Sequence, residues 1–179
     1  KLASLGFSDI VINIAHLGDK IPEALGDGSK WGVNIIYSDE QGSGALESAG
    51  GIIKALPFFG SETFLVVNGD ISCDYNFDAN FDLDRDLAHL ILVPNPEHNR
   101  DGDFALSDGR VLNDGNENFT FSGIGYYSAK LFEGLLCEKS ALAPLLRKAI
   151  EKEKVSGSLH RGVWHDIGTP QRLEAVNGV

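Results

Sequence analysis

The most informative segment of this chain reads Leu65-Val66-Val67-Asn68-Gly69-Asp70. Its apolar start is typical of a strand buried on both faces, and in open α/β sheets ligands bind just beyond the carboxyl ends of strands. Gly69 would let the backbone approach a ligand closely, and Asp70 would offer hard oxygen to a magnesium ion. Asn-Gly-Asp is also a common turn sequence, so a simple turn stays open as the alternative.

Other apolar runs predict further strands in the first half of the chain. Segments with helical spacing, around Ile21 and Ile52, lie between them. This alternation predicts an α/β fold with a mixed, mainly parallel sheet flanked by helices. The predicted strands are Ile10–Ile14, Val33–Tyr37, Phe64–Val67 and Leu87–Val93.

The second half of the chain is richer in turn residues after Pro94 and predicts a mixed-sheet extension. Phe119–Tyr127 predicts another strand, and Leu142–Lys152 has the apolar spacing of an amphipathic helix. Thr169 and Pro170 predict the start of a final helix. Threonine caps helices well, and proline sacrifices no hydrogen bond at the first helical position.

A second candidate carboxylate stands in Trp164-His165-Asp166-Ile167-Gly168-Thr169, between a predicted strand and the final helix. Asp166 could bind the same metal as Asp70, or it could only stabilise the helix N-terminus through its charge. We predict that the two aspartates converge in space on one divalent ion.

A third segment, Leu46-Glu47-Ser48-Ala49-Gly50-Gly51, is a loop of small residues that leads into the helix around Ile52. Small residues let a flat nucleotide base approach the backbone. Gly-Gly before a helix is more often just a turn, and the loop matches neither GxxxxGK[ST] nor GxGxxG. Its interpretation depends on the other two segments.

Composition narrows the class of protein. With 179 residues and 42% apolar side chains, the chain has the size of one domain. A formal charge of −11 argues against nucleic acid as a partner, because binding to a phosphate backbone needs clustered Lys and Arg. Cys73 and Cys137 lie outside any CxxC pair, and no membrane span or signal segment is present. We expect a cytoplasmic protein with free thiols that is a monomer or a small homo-oligomer and binds no membrane.

Taken in order, the three segments resemble the sugar-1-phosphate nucleotidyltransferases. Chains of that family run through a small-residue base-binding loop, a strand ending N-G-D and a late W-x-D-x-G-T. The sequence is most similar to the N-acetylmuramate alpha-1-phosphate uridylyltransferases of cell-wall recycling, also through Gly102-Asp103-Phe104 and Phe121-Ser122-Gly123. Mannose-1-phosphate guanylyltransferases share much of this pattern. The resemblance implies a Rossmann-like fold of the nucleotide-diphospho-sugar transferase type.

The resemblance also implies a role for each motif residue. Asp70 and Asp166 would be catalytic and would hold Mg²⁺. Asp103 would accept hydrogen bonds from sugar hydroxyls, although a turn residue after Gly102 is the structural alternative. The nucleotide would be lined by Glu47, Ser48, Ala49, Gly50, Asn68 and Gly69, and the sugar phosphate by Gly102, Asp103, Ser122 and Gly123.

One departure from the family is large. The family opens with a strand, a glycine-rich loop carrying a basic residue and a Pro-Lys-Pro type segment, which bind the triphosphate, and nothing here corresponds to them. Lys1 to Leu5 followed by Gly6 reads as the end of a helix. We therefore expect residues 1–179 to form a single nucleotidyltransferase domain that is N-terminally incomplete, lacks the first strand and phosphate-binding loop, and could be inactive alone. Ser48, where Thr is common, and Arg100, where Pro is common, are smaller departures.

The implied reaction is attack by the sugar 1-phosphate on the α phosphorus of UTP with release of pyrophosphate. Two enzyme alternatives stay open: a mannose-1-phosphate guanylyltransferase, and a metal-dependent glycosyltransferase. The latter typically carries D-x-D, whereas three residues separate Asp70 from Asp74. A non-catalytic nucleotide-sugar binding subunit is the third alternative. None of the histidines has a motif, and we expect all five to be structural or exposed: His16, His89, His98, His160 and His165.

Overall fold

The computed structural model describes residues 1–15, 18–42, 44–60 and 62–177. The expectation for His16 falls outside these residues. Among the residues described, no helix is long and apolar enough to cross a membrane.

A small parallel sheet opens the fold. Its strands are β1 (Asp9–Ile14) and β2 (Asn34–Asp39), with Asp9 opposite Asn34 in the register. The connection between them contains α1 (Lys20–Leu25), which ends at Gly26. Both strands lie where the apolar runs predict them.

A six-stranded sheet forms the body of the molecule, in the order β3-β8-β5-β9-β7-β6. A separate pair, β4 (Ile71–Cys73) and β10 (Trp164–Asp166), is antiparallel. The remaining helices are α2 (Glu47–Ala55), α3 (Leu142–Glu151) and α4 (Pro170–Asn177). The strands of the large sheet are β3 (Thr63–Val67), β5 (Ala88–Val93), β6 (Phe104–Ser107), β7 (Arg110–Leu112), β8 (Asn118–Ser128) and β9 (Val155–Leu159).

The α/β class is confirmed, but the expected predominance of parallel pairing is wrong. Among the described strands only the pairs β1–β2 and β5–β9 are parallel. The cause lies in the second half of the chain. β6 and β7 form a tight hairpin in which Asp108 (φ 49°) and Gly109 (φ 74°) make the turn, and β8 then runs antiparallel between β3 and β5.

Strand β5 is the centre of the core. Leu90 and Leu92 pack on the α3 side, in the same cluster as Leu146, whereas Ile91 points to the opposite face and packs with Ile124. All three β5 side chains are fully buried. Both faces of β5 are thus covered, one by helix α3 and the other by the β4–β10 region. In β3, for which burial on both faces is predicted, only Phe64 is buried and the other residues are half-buried.

The predicted helix start at Thr169 and the predicted helix end at Gly6 also match the local structure. Thr169 accepts a hydrogen bond at its Oγ1 from the backbone N–H of Arg172, 3.3 Å away, at the start of α4. Near the N-terminus, a 3₁₀ turn over Ala3–Leu5 ends at Gly6, which has φ 94°. The helix-ending glycine is therefore confirmed, with a 3₁₀ turn as the helical element.

The side chain of His89, a residue of β5, is half-buried, and each of its ring nitrogens lies within hydrogen-bond distance of a serine hydroxyl. Nδ1 lies 2.9 Å from Ser156 Oγ, Nε2 lies 3.1 Å from Ser158 Oγ, and Phe81 packs against the ring. Burial lowers the pKa of His89, and the nearby Asp86 carboxylate opposes this shift only in part. The expectation of a structural role for this histidine fits these contacts.

This environment predicts a pH dependence of stability. Because the pKa of His89 is lower in the folded state, the unfolded chain binds more protons as pH falls below about 6.5, and stability decreases from there until the folded pKa is reached. We expect the urea midpoint, followed by circular dichroism, to decline more steeply between pH 7 and pH 5 in the wild type than in His89→Gln. Identical slopes in the two proteins would contradict this assignment.

Candidate functional site

Strands β4 and β10 bring the two predicted aspartates together. In their antiparallel register Asp166 lies opposite Ile71, the residue after Asp70. The backbone N–H of Ile167 donates to the Asp70 carbonyl oxygen over 2.8 Å. Residues that are 96 positions apart in the sequence are thus neighbours, and the predicted convergence is present.

The two carboxylates flank Gly168. A Cβ atom placed on Gly168 would lie 3.1 Å from Asp70 Oδ2 and 3.2 Å from Asp166 Oδ1, so one point is close to an oxygen of each side chain. Two carboxylates with room for water and phosphate are a donor set that suits Mg²⁺. Within the described part of the chain, no group of three or more His, Cys, Asp or Glu side chains is arranged to hold a metal. A metal ion held by Asp70 and Asp166 would therefore also need oxygen atoms from water or from a bound substrate.

Asp166 is held by three neighbours. Arg172 Nη1 lies 2.9 Å and His98 Nε2 lies 3.4 Å from its Oδ2, and the Gly168 N–H donates to its Oδ1. Partial burial acts to raise the pKa of this carboxyl, but the Gly168 hydrogen bond and the Arg172 cation outweigh it and lower the pKa. Asp166 is therefore an anion at neutral pH, in the state a metal ligand requires.

Asn68-Gly69-Asp70 forms a turn, which was the alternative to a ligand-binding segment. The turn nevertheless contributes residues to the candidate site. The N–H of Ile71 donates to the Asn68 carbonyl over 3.3 Å and closes it. This closure places Asn68 and Asp70 on the wall of a cavity of about 340 Å³. Gly69 does not line that cavity and has open space beside it.

A bulge in β8 forms another part of the wall, next to Asn68. The partners of β5 step from Ile124 directly to Phe121, which leaves Ser122 and Gly123 unpaired with β5. Gly123 has φ 77°, and a Cβ on it would lie 2.7 Å from Asn68 Nδ2. Bulges of this kind are common next to functional sites because they redirect the chain locally.

Ser122 contributes to this wall, but its hydroxyl is used inside the protein. The side chain is fully buried, its Oγ donates to the Ile91 carbonyl over 2.6 Å, and it accepts from the Ile124 N–H. Its carbonyl oxygen accepts from Trp164 Nε1 over 3.0 Å, which ties β10 to β8. The Ser122 hydroxyl is therefore not free to bind a sugar, and any contact of Ser122 with a ligand would involve its backbone.

Asp103 lies in the same cavity and is anchored by two hydrogen bonds. Its Oδ2 accepts from the Phe121 N–H over 2.8 Å and from Asn99 Nδ2 over 3.1 Å. Gly102, before it, does not line the cavity. At φ 68°, a Cβ on Gly102 would lie 2.8 Å from the Asn118 carbonyl carbon, so this glycine lets the loop press against β8.

The small-residue segment has a different setting. Glu47–Gly50 do not line this cavity but form the first turn of α2. The Ala49 N–H donates to the Ser140 carbonyl over 3.0 Å, and a Cβ on Gly50 would lie 2.3 Å from the Glu138 carbonyl oxygen. The small side chains at positions 49 and 50 thus make room for the chain's own backbone. Glu47 and Ser48 are exposed, and the role of the segment in nucleotide binding stays a prediction.

Sequence reasoning missed several residues of the cavity. His98 was expected to be structural or exposed; its side chain is 42% exposed, yet it borders the cavity beside Asp166. Asn99 and Thr120, which are joined by a hydrogen bond of 3.2 Å, also line the cavity. So does Trp164, the first residue of the motif in which only Asp166 was proposed as a site residue. The polar cluster Pro96-Glu97-His98-Asn99 after β5 was the available signal, because a loop after a central strand is where ligands bind.

Asp74, the next acidic residue after Asp70, lies outside the site. Asp74 is paired with His160 at 2.8 Å and does not line the cavity. This contact fits the expectation that His160 is structural.

Comparison with known proteins gives a consistent family. The model of the nucleotidyl transferase family matches residues 1–104. An N-acetylmuramate alpha-1-phosphate uridylyltransferase from Neisseria meningitidis serogroup B is 49% identical over 188 residues, which cover 100% of this chain and 81% of that protein. A UTP–glucose-1-phosphate uridylyltransferase from Synechocystis is 32% identical over 123 residues, which cover 62% of this chain and 30% of that protein.

Solved structures share the fold. A Bacillus anthracis protein described as a glucose-1-phosphate thymidylyltransferase, crystallised with sucrose, superposes with a TM-score of 0.82. The match covers 99% of this chain and 78% of that one, at 19% identity. At this identity the likeness concerns the fold alone.

The bulge generates a test of the site's architecture. Gly123→Ala forces an alanine into a left-handed conformation and against Asn68, so we expect a loss of about 1–3 kcal/mol in the free energy of unfolding. Gly134→Ala is the matched control, because Gly134 has the same φ of 77° but nothing within 4 Å. Urea denaturation of both variants measures the difference. Equal losses would mean that the approach of Asn68 to the bulge is not the constraint.

Proposed function

We propose a specific reaction from one premise: this chain belongs to the nucleotidyl transferase family. It is a sugar-1-phosphate nucleotidyltransferase, and the substrates we assign to it are UTP and N-acetylmuramate 1-phosphate. The half-identical Neisseria relative, which is named for that pair, supports the choice. The observation that carries the catalytic part is the meeting of Asp70 and Asp166 beside Gly168.

The proposed chemistry is a single displacement. A phosphate oxygen of N-acetylmuramate 1-phosphate bonds to the α phosphorus of UTP, the bond from that phosphorus to the bridging oxygen of the β phosphate breaks, and pyrophosphate leaves. The products are UDP-N-acetylmuramate and pyrophosphate. A sugar phosphate is already largely a dianion near neutral pH, since its second pKa is about 6, so neither a side-chain nucleophile nor a general base is needed.

The obstacle is electrostatic, because two anions must approach each other. Asp70 and Asp166 would hold Mg²⁺, which when bound neutralises charge on phosphate oxygens. Asp166 is ready for this role because Arg172 and the Gly168 N–H keep it ionised and oriented.

The remaining residues divide between the two substrates. We assign the sugar phosphate to the cavity wall around Asp103 and Gly123, where the Asn99 and Phe121 hydrogen bonds fix the Asp103 carboxylate. Gly102 and Ser122 support this wall through the backbone. We assign the nucleotide to the segment Glu47–Gly50 together with Asn68 and Gly69.

Three wider assignments accompany the reaction. Residues 1–179 act as one nucleotidyltransferase domain, because α2 packs on both β1–β2 and α3 and so joins the small sheet to the rest of the fold. The product is a nucleotide sugar of a cell-wall component, which fits peptidoglycan recycling. A reaction that consumes UTP fits the cytoplasm.

A substrate panel tests this proposal. The full-length protein is supplied with UTP, GTP, CTP or dTTP and with the 1-phosphates of N-acetylmuramate, mannose or glucose. We expect the highest kcat/KM, measured by pyrophosphate release, for UTP with N-acetylmuramate 1-phosphate. A dominant activity with GTP and mannose 1-phosphate would overturn the substrate assignment. Binding of UDP-sugar without any pyrophosphate release would leave a non-catalytic binding protein.

Asp70→Asn tests the metal site. The amide keeps the shape of the side chain but loses its charge, so we expect kcat to fall at least about 100-fold while the urea midpoint stays close to the wild-type value. Asp74→Asn is the control, since Asp74 lies outside the cavity, and its kcat should stay within about twofold. Near-normal turnover in Asp70→Asn would remove this residue from the site.

A further inference from the structure

A second cavity of about 440 Å³ adjoins the first and has a different character. The two share His98, Trp164 and Asp166, so they are open to the same ligand. Much of the second cavity is lined by apolar side chains from the end of β5, from the loop that follows it and from helix α4. They are Val93, Pro94, Pro96 and Val176.

Arg172 supplies a cation to this apolar cavity. Its Nη1 lies 2.9 Å from Asp166 Oδ2, and its side chain is 39% exposed. A guanidinium has five N–H donors in a planar fork that matches a carboxylate. Among the described residues, Asp166 is its only hydrogen-bonding side-chain partner, so donors of Arg172 remain for a ligand.

The lining of the second cavity is not acidic overall, because Arg172 balances Asp166, its one acidic side chain. In a chain with a formal charge of −11, such a lining is a local exception, and the free donors of Arg172 can serve an anionic group. A guanidinium beside an apolar wall is suited to a short group that carries both a methyl and a carboxylate.

We propose that the second cavity binds the lactyl ether of N-acetylmuramate 1-phosphate, and that Arg172 selects for it by pairing with the lactyl carboxylate. This inference rests on the proposed function, because it concerns the sugar substrate of the same site. N-acetylmuramate differs from N-acetylglucosamine only in this lactyl group on O3. The phosphate is common to both sugar 1-phosphates and is assigned to the first cavity, so the pair of substrates isolates the group that Arg172 recognises.

The test compares kcat/KM for the two sugar 1-phosphates with UTP. In Arg172→Gln we expect the preference for N-acetylmuramate 1-phosphate over N-acetylglucosamine 1-phosphate to fall about 10- to 100-fold, since a charge-assisted hydrogen bond is lost. Any general loss through Asp166 affects both substrates and cancels in the ratio. Arg172→Lys should restore part of the preference. Arg161→Gln, an exposed arginine outside both cavities, should leave the ratio unchanged.

A binding measurement gives an answer that does not depend on turnover. In a Trp31→Phe background, Trp164 is the single tryptophan and borders both cavities. Titration with N-acetylmuramate should change its fluorescence at concentrations at least about tenfold lower than N-acetylglucosamine, and Arg172→Gln should abolish that difference.

The outcomes separate the two proposals. A wild-type enzyme that uses N-acetylmuramate 1-phosphate, with the same ratio and titration in Arg172→Gln, would overturn the role of Arg172 and leave the proposed function intact. A wild-type enzyme that uses only other sugar 1-phosphates would overturn the function and this inference together.

Discussion

The pairing of β4 with β10 is the interaction on which the site depends. It joins a strand near residue 71 to one near residue 165, and each strand adjoins or carries an aspartate. Without this short ladder, Asp70 would sit in an ordinary turn and Asp166 would only precede a helix. The Trp164 hydrogen bond to the β8 bulge then fixes the ladder against the large sheet. Three backbone segments therefore meet at one cavity.

Although the protein is acidic overall, a basic side chain lies next to Asp166 at the cavity. Arg172 and His98 flank Asp166, and the Arg172 cation together with the Gly168 N–H keeps this carboxylate ionised beside the cavity. Overall charge is a weak guide here, because fields inside a cleft are set by the nearest groups. An acidic protein of the nucleotidyl transferase family is thus consistent with anionic substrates.

Glycines at this site act by permitting close approach, and each does so differently. Gly123 lets β8 bulge against Asn68, and Gly102 lets a loop press on β8. Gly50, in the small-residue segment, accommodates the Glu138 carbonyl rather than open space. A sequence pattern rich in small residues therefore does not by itself distinguish a ligand site from tight internal packing.

Local sequence was sufficient for the α/β class, for most of the helices and strands, and for the choice of Asp70 and Asp166 as candidates, whereas β4, β6, β7 and β9 were not predicted. Strand and helix periodicity, and the Thr169-Pro170 helix start, depend on residues close in sequence, so they could be read directly. Strand direction, the hydrogen bonds of the Ser122 hydroxyl and the placement of His98 beside Asp166 could not. They depend on contacts between segments far apart in the sequence, such as Ser122 with Ile91, 31 residues away. The strand register behind such contacts is set by packing over the whole sheet. Only the tertiary structure decides it.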